Sequence, residues 1–350
     1  MTASRSGRSG QNGQPEGSLG HVVALGAYIL DVLGRPVETI PPGQGSVRLE
    51  EIKATAAGTA AGPAVDLAKL GARVTAVGAI GDDLIADIIT GVLASYGIDT
   101  RGLVRKAGQQ TSATMLPIRP NGERPALHVP GATSYLTLGD IDPAWLAGCD
   151  VLLIGAPDRL SPQVIEGLTG LARTARASGA LVLIDVLGPG RPEDFGRLRE
   201  LIGTADWFCP NEDQLRRLTG RDDLTEAIAD VLALGTKGVA VTLGENGALV
   251  STGTVTSPDP VHIPAHDITV VDTTGCGDAF DAGMITGLLL GCDPVDAARL
   301  GTACGALVAT GLGSDAGITT VEDVISFLAT VNPESATRIG GRLSSRQQPV

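Results

Sequence analysis

Val271-Asp272-Thr273-Thr274-Gly275-Cys276-Gly277-Asp278-Ala279-Phe280 is the stretch that decides the reading of this chain. Residues 268–271 in front of it are strand-like, and residues 279–290 behind it form a long apolar run with helical character. The stretch is therefore expected where a strand turns into a helix. Two glycines separated by one residue let successive N–H groups converge, and a helix start adds free N–H groups and the positive end of its dipole. Gly275, Cys276 and Gly277 thus read as an anion hole. Asp278 stands beside it, where a carboxylate could take the proton of an alcohol as its oxygen bonds to phosphorus. The amides would meanwhile hold the charge growing on the phosphoryl oxygens. An Asp at a helix start is also a common cap, and a lone Gly-x-Gly-Asp reads more readily as a capped turn. The preceding Asp-Thr-Thr weighs toward the chemical reading. Cys276 as a nucleophile has no nearby histidine in sequence to activate it.

Outward from this loop the chain alternates strand and helix. Residues 21–25, 73–77, 151–154, 180–184, 207–209 and 238–243 read as strands. Residues 65–70, 84–96, 162–178, 212–218, 279–290 and 294–310 read as helices. Such alternation predicts an α/β fold with a mainly parallel sheet and helices on both faces. Two stretches break the rhythm: residues 35–53, extended around Pro41-Pro42, and residues 113–129, two strands around the turn signal Asn121-Gly122. They are expected to pair as a small sheet projecting from the main body.

Of 350 residues, 43% are hydrophobic, which suffices for a large core. Residues 1–19, rich in Gly, Ser, Arg and Gln, are expected to be a disordered tail, and residues 333–350 a flexible one. The net charge of −13 disfavours nucleic acid and membrane surfaces as partners. It also means that an anionic nucleotide needs local help from amides, a helix start or a metal. Five cysteines, an odd number with no C-x-x-C pair, fit a reducing, cytoplasmic setting. No apolar run reaches the roughly 18 residues of a membrane span. The four histidines show no metal-ligand spacing. No Gly-x-Gly-x-x-Gly follows the first strand, which removes a dinucleotide oxidoreductase.

The central stretch resembles the DTxGAGD motif of the ribokinase-like (PfkB) sugar-kinase family, with Cys276 where Ala is usual. The resemblance spans about residues 21–330. It implies a three-layer α/β/α sandwich with a small β-sheet lid (about 34–56 and 111–131) on a kinase domain of residues 20–332. It implies an ATP-dependent kinase acting on a hydroxymethyl group of a sugar or nucleoside, with Asp278 as base and the amides of Gly275, Cys276 and Gly277 as anion hole. Asp31, six residues into Gly26-Ala27-Tyr28-Ile29-Leu30-Asp31, matches an Asp that binds sugar hydroxyls. Ala57-Gly58-Thr59-Ala60-Ala61-Gly62 resembles the family's Gly-Gly-x-x-x-Asn, so Gly58, Thr59 and Gly62 fall on the substrate side. Gly62 replaces the Asn, which removes a side chain that often contacts substrate. Asn211-Glu212-Asp213-Gln214 resembles Asn-x-x-Glu, which organises magnesium and phosphates; Gln214 stands in for the Glu. Thr242, Gly244 and Gly247 match a nucleotide loop. Asp272 and Thr274 match residues that hold a monovalent cation such as K⁺ in several relatives. ATP and Mg²⁺ are the implied cofactors, and a homodimer through the lid is the implied assembly. The departures at Gly62 and Gln214 leave a second reading, a ligand-binding or regulatory protein on the same fold with weakened catalysis.

Overall fold

Short β-branched strands, most of them alternating with helices, build the main layer. The computed structural model describes residues 18–347. Strands β1 (His21–Gly26), β4 (Arg73–Gly81), β5 (Asp99–Lys106), β8 (Val151–Gly155), β9 (Leu181–Asp185), β10 (Trp207–Phe208) and β11 (Gly238–Thr242) run parallel, and β12 (Ala248–Ser251) and β13 (Val261–Ile263) close one edge. Among the described residues this makes a nine-stranded sheet in the order β13-β12-β11-β10-β9-β8-β1-β4-β5, antiparallel only at the β11–β12 and β12–β13 pairs. The central strands are buried on both faces, as a parallel sheet covered by helices requires.

One face carries α1 (Ala61–Lys69), α2 (Leu84–Ser95), α7 (Cys276–Leu289), α8 (Pro294–Ala309), α9 (Val321–Ala329) and α10 (Pro333–Gln347). The other carries α3 (Pro162–Ala177), α4 (Pro192–Ile202), α5 (Glu212–Thr219) and α6 (Leu224–Leu232). The expected three-layer α/β/α sandwich is thus the observed one. Helix α7 is buried on nearly every side, Asp281 and Thr286 included, and lies against α8 through glycines. A Cβ on Gly283 would come 2.7 Å from the Leu300 carbonyl oxygen, and one on Gly287 2.6 Å from Ala297 Cα. That backbone-to-backbone approach fixes the N-terminal turn of α7.

A second, four-stranded sheet has the order β3-β2-β6-β7. Its strands are β2 (Ile29–Arg35), β3 (Glu51–Ala57), β6 (Ala113–Pro117) and β7 (Leu127–Val129). The small sheet was legible: residues 113–129 supply β6 and β7 on either side of Asn121-Gly122 as expected, whereas the first stretch was misplaced. Residues 36–50 form no strand, and β2 begins at Ile29, so Asp31 lies on the small sheet itself. Around Asn121-Gly122 the connection is a long loop with a turn at its tip, where the Gly122 amide donates to the Arg119 carbonyl.

Three further expectations change. Residues 268–271 are not a strand. The Val271 and Asp272 amides donate to the Ala309 carbonyl at the end of α8, so this backbone is satisfied by a helix terminus rather than by a sheet neighbour. Residues 1–17 of the expected disordered tail lie outside the described residues, but Leu19 is buried against the core, its amide donating to the Gly71 carbonyl. Residues 333–347 are helical, not a flexible tail: Ala336, Ile339 and Leu343, spaced i, i+3, i+7, bury one face of α10. Asn332 accepts from the Ser335 amide, and Arg338 donates to both oxygens of Asp296 on α8. No described helix is long and apolar enough to cross a membrane.

Candidate active site

Gly26, Gly155, Asp185 and Thr242 all stand at the C-terminal ends of parallel strands, the edge where open α/β sheets bind ligands. A cavity of about 490 Å³ opens there beneath the small sheet. Asp31, Gly58, Thr59, Asn211, Thr242, Thr274, Gly275, Gly277 and Asp278 all reach its wall. A second cavity of about 910 Å³ abuts it and takes in Gly244, Gly247 and Cys276. Thr242, Thr273 and Gly277 belong to both walls, so the two cavities meet at the start of α7. The sequence reading thus assembled one continuous site. Two of its residues stand off the walls: Gly62 lies under Asp278, and Asp272 is fully buried behind the loop.

Helix α7 is capped by Gly275 in the left-handed region (φ 81°). A Cβ there would sit 2.4 Å from Ser314 Cβ, so the turn accepts only glycine. Gly277 has nothing within 4 Å of its Cβ direction, which leaves that face open to the cavity. Asp278 is the third helical residue rather than the cap, and among the described residues its carboxylate accepts no side-chain hydrogen bond. Burial, and then the neighbouring Asp31, push its proton affinity up to about 7, against the pull of Arg124. The residue opposite, Asp31, is raised by burial to about 6, with Thr114 and Arg124 working to lower it. Burial pushes the Cys276 thiol up to about 12, which makes it a poor nucleophile at neutral pH.

Gln214 is committed elsewhere. Its Oε1 accepts from the Asn211 amide at 2.8 Å, and its amide donates to the Val186 and Gly188 carbonyls at 2.8 and 3.0 Å. Asn211 Oδ1 accepts from the Gln214 amide in return, a reciprocal cap of α5. The neighbouring carboxylates Glu212 and Asp213 do not line either cavity; Glu212 pairs with Arg216. Behind the Gly275–Gly277 turn, Asp272 Oδ1 accepts from the Thr274 amide and hydroxyl, and Oδ2 from the Gly313 amide. Sequence reasoning missed Arg124, Arg159, Thr114 and Asp185, which also line the first cavity. Asp185 could have been found, since it is a carboxylate closing a predicted parallel strand. Arg124 and Arg159 sit in loops whose direction the sequence does not give.

The pfkB family carbohydrate kinase profile matches residues 20–321. The 2-dehydro-3-deoxygluconokinase of Bacillus subtilis is 29% identical over 78% of this chain and 86% of its own length. The ATP-dependent ribose-1-phosphate kinase of Halopiger xanaduensis is 30% identical over 88% of this chain and 98% of its own. Among solved structures, the ribokinase of Thermotoga maritima superposes with a TM-score of 0.70 at 26% identity, covering 88% of this chain and 98% of that one. The chain belongs to the pfkB family of carbohydrate kinases, and it is an enzyme of that class.

Proposed function

We propose that this kinase moves the terminal phosphoryl group of ATP to a hydroxymethyl group of a sugar or nucleoside held in the smaller cavity, with Asp278 as general base. The observation that carries the reading is the position of Asp278 where the two cavities meet, without a protein donor among the described residues and beside the amides of Gly275 and Gly277, that of Cys276 being turned to the Thr273 carbonyl at 3.4 Å. An acceptor hydroxyl against Asp278 would lie in line with a phosphoryl on those amides, and its proton would pass to the carboxylate. Asp31, with Gly58 and Thr59, would take other hydroxyls of the acceptor; among the described residues Thr59 Oγ1 is buried without a partner. Thr242, Gly244 and Gly247 would flank the nucleotide, and the Halopiger relative is named as ATP-dependent. The decisive experiment is Asp278→Asn. Turnover should fall by about 10³-fold or more while ATP still binds; retained turnover would refute the role of Asp278.

Mg²⁺ would neutralise charge on the β- and γ-phosphates. With Gln214 tied to carbonyls, Asp185 is the cavity-wall carboxylate suited to it, beside Asn211. Asp272 is fully buried, yet among the described residues no cationic side chain pairs with it. That suits a monovalent cation such as K⁺ held with Thr274 behind the anion hole. Turnover should therefore be higher in potassium than in tetramethylammonium chloride, and equal rates would remove the cation from the reading. The outer face of the small sheet exposes Ile52, Met115, Leu127 and Val129, and a second copy of the chain would cover it in a homodimer.

A further inference from the structure

The first cavity sets two guanidinium groups, Arg124 and Arg159, beside the carboxylates of Asp31, Asp185 and Asp278, and a neutral acceptor calls for no such cations. Arg124, His128 and Arg159 all line it, in a chain whose net charge is −13. The three divide by position. Arg124, on the loop between β6 and β7, brings Nη1 to 3.4 Å from Thr274 Oγ1, and among the described residues no carboxylate pairs with it. It therefore faces the anion hole. Arg159 and His128 stand together at the lid end. His128 is on β7, its Nδ1 3.1 Å from Thr114 Oγ1, and burial together with the charge of Arg159 keeps the ring neutral.

Arg159 is held in place rather than loose. It ends the turn Pro157–Arg159 after β8, its Nε 3.1 Å from Asp158 Oδ2. Asp158 is itself fixed, accepting from the Leu187 and Gly188 amides at 3.0 and 2.9 Å. A Cβ on Gly188 would come 2.4 Å from Arg159 Nη2, so that glycine makes the room the guanidinium occupies. Asp31, in register with Thr114 and His128 across the small sheet, supplies the opposite charge on the same wall. Such a wall matches a ligand with hydroxyls at one end and an oxyanion at the other.

We propose that the acceptor alcohol carries a carboxylate or phosphate group, gripped by Arg159 and His128 at the lid end of the cavity while its hydroxyl lies against Asp278. The assignment rests on the phosphoryl-transfer reading above for its second half only; recognition of the oxyanion stands on Arg159 and His128.

The test uses the full chain with ATP and Mg²⁺ and compares 2-dehydro-3-deoxygluconate, ribose 1-phosphate, ribose, fructose and adenosine. One of the two anionic compounds should exceed the best neutral one by about 100-fold in kcat/KM, and which one wins decides between carboxylate and phosphate. Arg159→Gln should raise that compound's KM by about 30-fold and the ATP KM by less than about threefold, with Arg159→Lys recovering part of the loss. Calorimetric titration of both anionic compounds supplies the binding arm if turnover is absent. Asp278-dependent turnover of a neutral compound, with its KM indifferent to Arg159→Gln, would overturn the anionic acceptor and leave the kinase mechanism standing. Arg159-dependent binding of an anionic compound, with no phosphoryl transfer to any of the five, would uphold the oxyanion site and overturn the mechanism. Absence of both binding and turnover for the two anionic compounds would overturn the proposal.

Discussion

Asp278 is pulled in two directions. Burial and Asp31 favour its protonated form, Arg124 its charged one, and the balance near 7 lets it exchange a proton at working pH. For the free enzyme, kcat/KM should then rise by about tenfold per pH unit below that value and level off above it. Stability runs the opposite way. A carboxyl that binds its proton more tightly folded (about 7) than free (3.8) stabilises fully below pH 4, and that contribution is lost as pH climbs through 7. Thermal melts of Asp278→Asn should accordingly gain on the parent between pH 4 and 8; a constant gap would show that the group titrates elsewhere. Gly62 acts on the same carboxylate from below. A Cβ there would stand 2.6 Å from Asp278 Oδ2, so Gly62→Ala must push that carboxylate off its position. Turnover should drop by about 10- to 100-fold, with little loss of melting temperature, because alanine favours the helix that glycine weakens. An unchanged kcat would mean the carboxylate has room to spare.

Among the elements, α10 is the one whose attachment is easiest to test. Asp296 on α8 is nearly fully buried; burial alone would raise it, yet Arg338, Ser335 and Arg299 hold it down to about 2. A carboxyl with a lowered folded value stabilises above pH 4, and that contribution fades as pH falls toward 2. Asp296→Asn should lower the melting temperature by several degrees at pH 7 and by progressively less below pH 4; a pH-independent difference would point to packing alone. This helix also marks the limit of what the sequence disclosed. Its Gly340-Gly341 and Ser344-Ser345 pairs disguise the apolar spacing of Ala336, Ile339 and Leu343, and composition pointed to a tail. The strand-like residues 268–271 failed for a related reason: Val270 is exposed, and hydrogen bonding to α8 outweighed β-branching. By contrast, the α7 loop and the C-terminal strand ends were legible, since glycine spacing and apolar runs are local signals. Arg124 and Arg159 were not, because only the folded loops turn them toward the cavity. Gln214 was visible as a departure from the family's Asn-x-x-Glu pattern, while its two carbonyl partners were not.

Across the whole molecule, the small sheet has two faces with different work, sorted by the two-residue period of its strands. One cross-strand row, Thr55, Asp31, Thr114 and His128, contributes three residues to the cavity wall. The next row, Ala54, Val32, Met115 and Leu127, includes two of the large exposed apolar side chains, Met115 at 59% and Leu127 at 50%. Exposed apolar surface of this kind marks an association face. Met115→Asp should shift the sedimentation of a homodimer to that of a monomer; a parent that sediments as a monomer at all concentrations would remove the dimer. Because successive residues of one backbone serve both rows, whatever grips the outside of this ribbon also sets the posture of the carboxylate and imidazole within. If two copies pair there, activity per molecule would vary with how crowded the solution is, and dilution alone would slow the enzyme before either copy unfolds.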